Sequence, residues 1–263
     1  MILDKYRLDG KVALITGGSR GIGRAIALGF AEVGADVVIA SRKLHDLEQV
    51  AKEITALGRR SLAVATHAAH KEELNNLVER TMDEFGRIDI LVNNAATNPV
   101  YGALLDLEER AWDIVMNLNL KGYFLLSQAV ARLMIKQGNG SIINMASTSG
   151  IRPFSGLGAY SITKASVIML TRVLASELGK YNIRANAIAP GTIQTRFASY
   201  ITETPELLKE IEAHTPLGHI GQAEDIVGAA ILFASDASKH ITGQTTIIDG
   251  GELIYYKTGN SIT

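Results

Sequence analysis

Short apolar runs alternate along the chain with stretches in which apolar residues recur every three or four positions. Val12–Thr16 (VALIT) is almost wholly apolar, the pattern of a strand covered on both faces. Ile22, Ile26, Phe30 and Val33 then repeat at helical spacing. The alternation continues with a strand-like Asp36–Ser41 and a helical stripe of Leu44, Leu47, Val50, Ile54 and Leu57, closed by Gly58. Ser61–Thr66 reads as a third strand, followed by a stripe of Leu74, Leu77, Val78, Thr81 and Phe85. Ile88–Asn93, Ser141–Met145, Arg184–Ala189 and Thr245–Ile248 bring the predicted strands to seven. Long helical stretches cover Glu108–Gln137, closed by Gly138-Asn139-Gly140, and Ala159–Lys180. Strands separated by helices need crossovers, not hairpins, and crossovers are right-handed. The pattern therefore predicts an α/β fold, a doubly wound parallel sheet with helices on both faces. No repeat, proline-rich linker or break in composition divides it, so residues 1–263 are expected to form one domain. The least periodic stretch is 192–224, after the sixth strand. Open α/β sheets place ligand-contacting loops there, so this segment is expected to be a mobile lid over the substrate.

Composition narrows the partners. Lys and Arg number 26 against 27 Asp and Glu, a net charge of −1, which argues against a general affinity for nucleic acid or an anionic membrane. The absence of cysteine excludes disulfides, thiolate nucleophiles and cysteine-ligated metal centres. Apolar stretches such as Ile226–Ala234 fall far short of the roughly 18–20 residues needed to span a bilayer. Asp4, Lys5, Arg7 and Asp9 interrupt any signal-peptide core, so a cytoplasmic protein is expected.

Glycine clusters between the first strand and the first helix, in Thr16-Gly17-Gly18-Ser19-Arg20-Gly21-Ile22-Gly23. Such a turn lets backbone approach a pyrophosphate, and the helix N-terminus offers free N–H groups and a partial positive charge. The spacing, Gly-x-x-x-Gly-x-Gly, differs from the commoner dinucleotide fingerprint, and a tight packing turn is the alternative. The far end of the second strand is where a ribose is read: an acid there favours a free 2′-hydroxyl, an arginine a 2′-phosphate. Here the strand ends in Ser41-Arg42-Lys43, while Asp36 sits at its start. Ser41 and Arg42, aided by Arg20, therefore point to NADP(H) over NAD(H).

Tyr160 and Lys164 lie four residues apart, on one face of the predicted long helix. Ser147 follows the fifth strand, and Asn119 lies in the helical stretch after the fourth. At these residues the chain resembles the short-chain dehydrogenase/reductase family. The resemblance rests on Thr16–Gly23, Asn93-Asn94-Ala95-Ala96, Asn119, Ser147, Tyr160-x-x-x-Lys164 and Pro190-Gly191-Thr192-Ile193-Gln194-Thr195, in family order over nearly the whole chain. It implies a Rossmann-type, single-domain sheet of seven strands. It also implies a hydride-transfer enzyme in which Tyr160 is general acid in reduction and base in oxidation. Ser147 would hold the substrate oxygen. Lys164 would hold the nicotinamide ribose and lower the tyrosine pKa, and Asn119 would hold a water linking Lys164 to solvent. Bringing a tyrosine from about 10 to about 7 takes roughly 4 kcal/mol. One cation about 4 Å away supplies that much at an effective dielectric near 20.

The resemblance further places Gly17, Ser19, Arg20, Gly21, Ile22 and Gly23 on the cofactor phosphates. Asn93 would hold the sheet beside the cofactor, Ala95 would line its adenosine side, and Pro190, Gly191, Ile193 and Thr195 would meet its nicotinamide end. One departure is visible: the family often has an acid after the third strand, against the adenine, whereas here the slot is His67, followed by Ala68. His67 and His70 have no evident further ligands for a metal, so none is expected. Asn98, Tyr101, Thr148, Arg152, Phe154, Phe197 and Tyr200 are expected to line the substrate pocket, a mainly aromatic surface suited to an uncharged, bulky ketone or aldehyde. Arg152 aimed into that pocket would instead favour an acidic substrate or a thioester.

Asn93–Pro99 followed by Gly102 is locally similar to the carbonyl reductase and retinol dehydrogenase (member 4-like) branch. A 3-oxoacyl-thioester (acyl carrier protein) reductase is the alternative enzyme, and a non-catalytic nucleotide-binding regulator the alternative of another class. The resemblance also implies a homotetramer built on the two long helices and the C-terminal strand. Ala165, Val167, Met169 and Ala175 are expected to be surplus to the needs of one sheet face.

Overall fold

The computed structural model describes residues 1–255; positions 256–263 of the expected single domain lie outside the described residues. In chain order the elements are β1 (Val12–Thr16), α1 (Gly21–Glu32), β2 (Asp36–Ser41), α2 (Leu44–Ala56), β3 (Ser61–Ala65), α3 (Lys71–Phe85) and β4 (Ile90–Asn93). Then come α4 (Glu109–Met116), α5 (Gly122–Gln137), β5 (Gly140–Met145), α6 (Gly158–Leu178), β6 (Ile183–Pro190), α7 (Ser199–Thr202), α8 (Pro205–Ala213), α9 (Val227–Ala234) and β7 (Thr245–Ile248). All seven strands pair in parallel, in the order β3-β2-β1-β4-β5-β6-β7. This is a single-domain, Rossmann-type doubly wound sheet. The order reverses at β1, and the crevice between the diverging connections opens at the C-terminal ends of β1 and β4.

Alternate residues of one strand feed opposite cores. Ala13 and Ile15 of β1 pack with Ile26 and Phe30 of α1, Leu47 and Val50 of α2, and Ala230 and Phe233 of α9. Val12 and Leu14 pack on the other face with Leu74 and Leu77 of α3, Leu126 and Val130 of α5, and Ala175 of α6. Burial on both faces is why these strands read as continuous apolar runs.

The seven strands form where the pattern predicts, within two residues at each end. Three features differ. The stretch 108–137 is not one regular helix: between α4 and α5 the backbone widens into a π-turn over Asn117–Lys121. Residues 192–224 are more regular than expected, containing α7 and α8. Helix α9 was not predicted, because it is apolar on every side and so carries no amphipathic stripe. It packs against α1 and the sheet through Ala230, Phe233 and Ala234. Its C-terminal carbonyls are satisfied from β5 and β6, where Ser141 Oγ (2.8 Å) and Arg184 Nη1 (2.7 Å) both donate to the Phe233 carbonyl. Of the four α6 residues expected to be surplus, Val167 and Ala175 belong instead to the chain's own core. Ala165 is exposed, and so is Met169, at 55%.

Candidate active site

The glycine turn is closed from the side by β4. Gly17 and Gly21 have φ of +68° and +53°, in the left-handed region that glycine alone enters freely. A Cβ on Gly23 would come within 2.3 Å of the Gly17 carbonyl oxygen. Asn94 Nδ2 donates to the carbonyls of Thr16 (2.9 Å) and Gly17 (3.2 Å), and Thr16 Oγ1 accepts from the N–H groups of Asn94 (3.0 Å) and Ala95 (3.1 Å). Asn94 thus clamps the turn, a role its sequence motif does not disclose. Among the described residues no side chain caps the N-terminus of α1 at Arg20, so its first N–H groups face the crevice where an anion would sit. Gly21 lies against Thr195, whose Cγ2 would be 3.2 Å from an added Cβ, so the segment after β6 folds over the glycine turn. Ile193 is buried there, bridged in parallel to Gly221, and Gly191 packs against Asp249.

At the end of β2 the Ser41 hydroxyl is buried without a hydrogen-bond partner among the described residues, and Arg42 follows it, exposed. Asp36, at the opposite end of the strand, is engaged by Arg59 Nη2 (2.9 Å) and the N–H of Arg60 (3.0 Å), away from any ribose site. An orphaned hydroxyl beside a free arginine, with no acid at the strand end, fits a 2′-phosphorylated dinucleotide. After β3, the N–H of His67 donates to Glu73 Oε2 (2.6 Å), and Glu73 Oε1 accepts from His70 Nδ1 (2.7 Å). The two imidazoles stack at 4.2 Å. Ala68 packs under the start of α5, where a Cβ on Gly122 would meet its carbonyl oxygen at 2.2 Å. Among the described residues no three His, Asp or Glu side chains are placed to hold a metal.

The four residues singled out for catalysis converge at the C-terminal ends of β4 and β5. The π-turn aims Asn119 inward: its Oδ1 accepts from Thr97 N–H and its Nδ2 donates to the Thr97 carbonyl, each at 2.8 Å. Its Nδ2 also reaches Thr163 Oγ1, on the turn of α6 that carries Lys164 (3.4 Å). Asn93 sits behind the site, donating to Ser127 (2.9 Å) and Asn144 (2.8 Å), and so ties β4 to β5 and α5. Lys164 is 1% exposed, and Nζ donates to the Met145 carbonyl at the end of β5 (2.7 Å). The rings of Tyr123 and Tyr160 face it, with centroids at 5.2 and 5.5 Å.

Desolvation lowers the Lys164 pKa to about 7. Burial raises that of Tyr160 above its ordinary value, while the Ser147 hydroxyl facing the phenol pulls the other way. The expected lowering of Tyr160 by Lys164 is therefore not met in this arrangement. The ammonium is spent on the Met145 carbonyl, and the low-dielectric surroundings penalise the phenolate. Tyr160 rests here as a protonated acid. Two buried side chains had no sequence signal beyond their apolar or helical context. One is Tyr123, beside Lys164, whose hydroxyl lacks a partner among the described residues; the other is Glu252, pushed above the usual carboxylate range by burial.

The expected substrate residues divide into groups. Phe197 lies on Tyr160 (ring centroids 5.4 Å) and Tyr200 stacks on Tyr101 (4.9 Å), so the segment after β6 reaches across the site. Asn98 Nδ2 donates to the Val100 carbonyl (3.1 Å), shaping the loop after β4. Thr148, in the loop after β5, is buried. Arg152 turns away to the C-terminal segment, donating to the Glu252 carbonyl (3.3 Å) with its guanidinium over Phe154.

A dinucleotide cradle at a parallel-sheet switch point, beside a buried Tyr–Lys–Ser–Asn set, defines a nucleotide-dependent oxidoreductase. A family profile described as Enoyl-(Acyl carrier protein) reductase matches residues 17–252. The chain is 41% identical to the 2-dehydro-3-deoxy-D-gluconate 5-dehydrogenase of Dickeya dadantii, over 96% of this chain and 99% of that one. It is 37% identical to dehydrogenase/reductase SDR family member 4 of Bos taurus, over 94% of this chain and 88% of that one. It is similar in structure to a gluconate 5-dehydrogenase from Burkholderia cenocepacia in complex with NADP and tartrate: TM-score 0.93, 36% identity, covering 97% and 100% of the two chains. The chain belongs to the short-chain dehydrogenase/reductase family. It is an oxidoreductase of that family acting on CH–OH groups and their carbonyl counterparts.

Proposed function

We propose that the chain is an NADP(H)-dependent oxidoreductase interconverting a carbonyl and an alcohol, with Tyr160 as the proton donor in reduction. The observation that carries this reading is the buried convergence of Tyr160, Ser147, Lys164 and Asn119 beside the glycine cradle. When bound, the cofactor supplies or accepts the hydride. The backbone of 17–23, with Arg20, Ser41 and Arg42, would hold its phosphates. Ala68, Ala95, Pro190, Gly191, Ile193 and Thr195 would line the rest of it. Ser147 donates to the substrate oxygen as negative charge develops there, and Tyr160 transfers its proton to the same atom. Lys164 and Asn119 return a proton toward solvent. The NADP held by the Burkholderia relative supports the choice of cofactor.

Tyr101, Phe197 and Tyr200 support an aromatic-lined pocket and a bulky, uncharged ketone or aldehyde, with 192–224 as its lid. The sugar-acid dehydrogenases among the relatives favour a second reading, a polyhydroxy acid. Against it stands Arg152, turned from the site toward Glu252. We further propose a cytoplasmic homotetramer; none of the described helices is long and apolar enough to cross a membrane.

Steady-state kinetics test the reading with NADPH and NADH, against aromatic ketones, retinoids, acetoacetyl thioesters and keto-gluconates. An arginine–phosphate contact is worth about 1.5–3 kcal/mol, so kcat/KM should favour NADPH by about tenfold or more, and Arg42→Ala should erase most of that preference. Tyr160→Phe should abolish turnover while leaving NADPH binding nearly intact. Equal use of both cofactors, or turnover by Tyr160→Phe within about threefold of wild type, would overturn the assignment. Preference for keto-gluconates would move the substrate to the second reading.

A further inference from the structure

Against the segment after β6 lies a buried acid that no sequence motif announces. Glu252, in the turn that follows β7, is 5% exposed. A carboxylate taken out of water needs partners, or it takes up a proton. Its own turn does not supply them. Asp249 already serves that turn, its Oδ1 accepting from the N–H of Gly251 and its Oδ2 from the N–H of Leu253, each at 2.8 Å. Glu252 reaches other segments instead. Its carboxyl lies on Gly191, where an added Cβ would come within 3.0 Å of Oε2, and it faces the N–H of Thr192. Arg152, from the loop after β5, donates to the Glu252 carbonyl (3.3 Å), and its charge favours the ionised carboxylate. His214, at the end of α8, favours that form too; Asp249 opposes it, and burial opposes it most.

Thr192 is where the chain leaves β6 and turns toward the glycine cradle. Its carbonyl accepts from the N–H of Gly221 (3.0 Å), and the Gly221 carbonyl accepts in turn from the N–H of Gln194 (2.8 Å). Among the described residues the N–H of Thr192 has no backbone acceptor, so the Glu252 carboxyl is the group that satisfies it. The peptide plane before Thr192 is therefore set by Glu252, and the plane after it by Gly221. Ile193, next along, is buried, and Thr195 lies against Gly21.

We propose that Glu252 is a positioning residue for the nicotinamide end of the cofactor: through Thr192 it fixes the backbone that presents Ile193 and Thr195 to that end. This rests on the NADP(H) reading above. Glu252 acts through the segment after β6 and on no reacting atom. Its effect is therefore confined to the nicotinamide half of the ligand, while the glycine turn and the end of β2 hold the other half unaided.

The test is titration calorimetry with NADPH and with 2′,5′-ADP, which carries the adenine, its ribose and the 2′-phosphate but no nicotinamide. Glu252→Leu fills the same space without an acceptor. It should weaken NADPH by about fivefold or more and leave 2′,5′-ADP within about twofold of wild type, since a hydrogen bond to a charged group is lost at one end only. Retained binding of 2′,5′-ADP shows that the variant is folded. Glu252→Gln gives Thr192 an acceptor again and should regain most of the loss on NADPH. Unchanged NADPH affinity in Glu252→Leu, no recovery in Glu252→Gln, or equal losses on both ligands in the two variants alike would overturn the proposal while leaving the NADP(H) reading standing. Failure of wild type to bind NADPH and 2′,5′-ADP would instead refute that reading, and this inference with it.

Discussion

Among the described residues Lys164 has one acceptor, the Met145 carbonyl, and it has almost no contact with water. Its folded-state pKa of about 7 lies well below the 10.5 of the unfolded chain. The unfolded state therefore binds more protons between those values, and stability rises with pH across that window. The lysine is a stability deficit at and below about pH 7, which fades as pH approaches 10.5. Lys164→Met, close in shape and uncharged, should abolish turnover yet raise the Tm of the cofactor-free protein. The gain over wild type should be largest near pH 7 and shrink toward pH 10.5. Thermal unfolding at several pH values checks this, and a gain independent of pH would mean that the ammonium is not what the fold resists. Tyr123 complements the lysine: it is buried beside Lys164 with Ala146, Ala187 and Ala189, small residues that leave room for its ring.

Two aromatic pairs join segments far apart in the chain, Phe197 with Tyr160 at the start of α6, and Tyr200 with Tyr101 in the loop after β4. They attach the proposed lid to the catalytic floor. Such pairs are worth about 0.5–1.5 kcal/mol beyond their area, so Phe197→Ala or Tyr200→Ala should raise KM about 2–10-fold, with a smaller change in kcat. Unchanged KM values would place both rings outside the substrate path. Elements of this kind differ in how far a sequence discloses them. The strands were legible because doubly covered β-structure writes an uninterrupted apolar run, as in VALIT. The proposed catalytic set stood out because its members recur at fixed family spacings. Helix α9 was not, since apolar residues all round it leave no stripe to mark a helix. The clamp of Asn94 on the glycine turn, the π-turn that aims Asn119 and the placement of Arg152 against Glu252 depend on contacts between distant segments, which no local pattern records.

The whole molecule leaves apolar side chains uncovered along α4, α5 and α6. Ile114 of α4, Phe124 and Ile135 of α5, and Ile162, Met169 and Val173 of α6 are all exposed. Solvated apolar rows on adjacent helices mark association surfaces. Light scattering should give a mass of about four times the 28.2 kDa of one chain, and Met169→Glu with Val173→Glu should reduce it. A monomer across micromolar concentrations would refute the assembly. The strand order also bears on how the chain comes into being. Strands β2 and β3 extend the sheet outward from one edge of β1; β4 then takes the other edge, and β5, β6 and β7 follow it outward. At no stage must a new strand wedge between two that are already paired. A ribosome delivering the chain from its N-terminus at about 5–20 residues per second could therefore release each βα unit onto an edge already waiting for it. The cradle for the nucleotide would take shape first. The tyrosine, the lysine and the segment over them emerge later, so the nascent chain would hold the phosphate end of its coenzyme site before it has any chemistry to perform there.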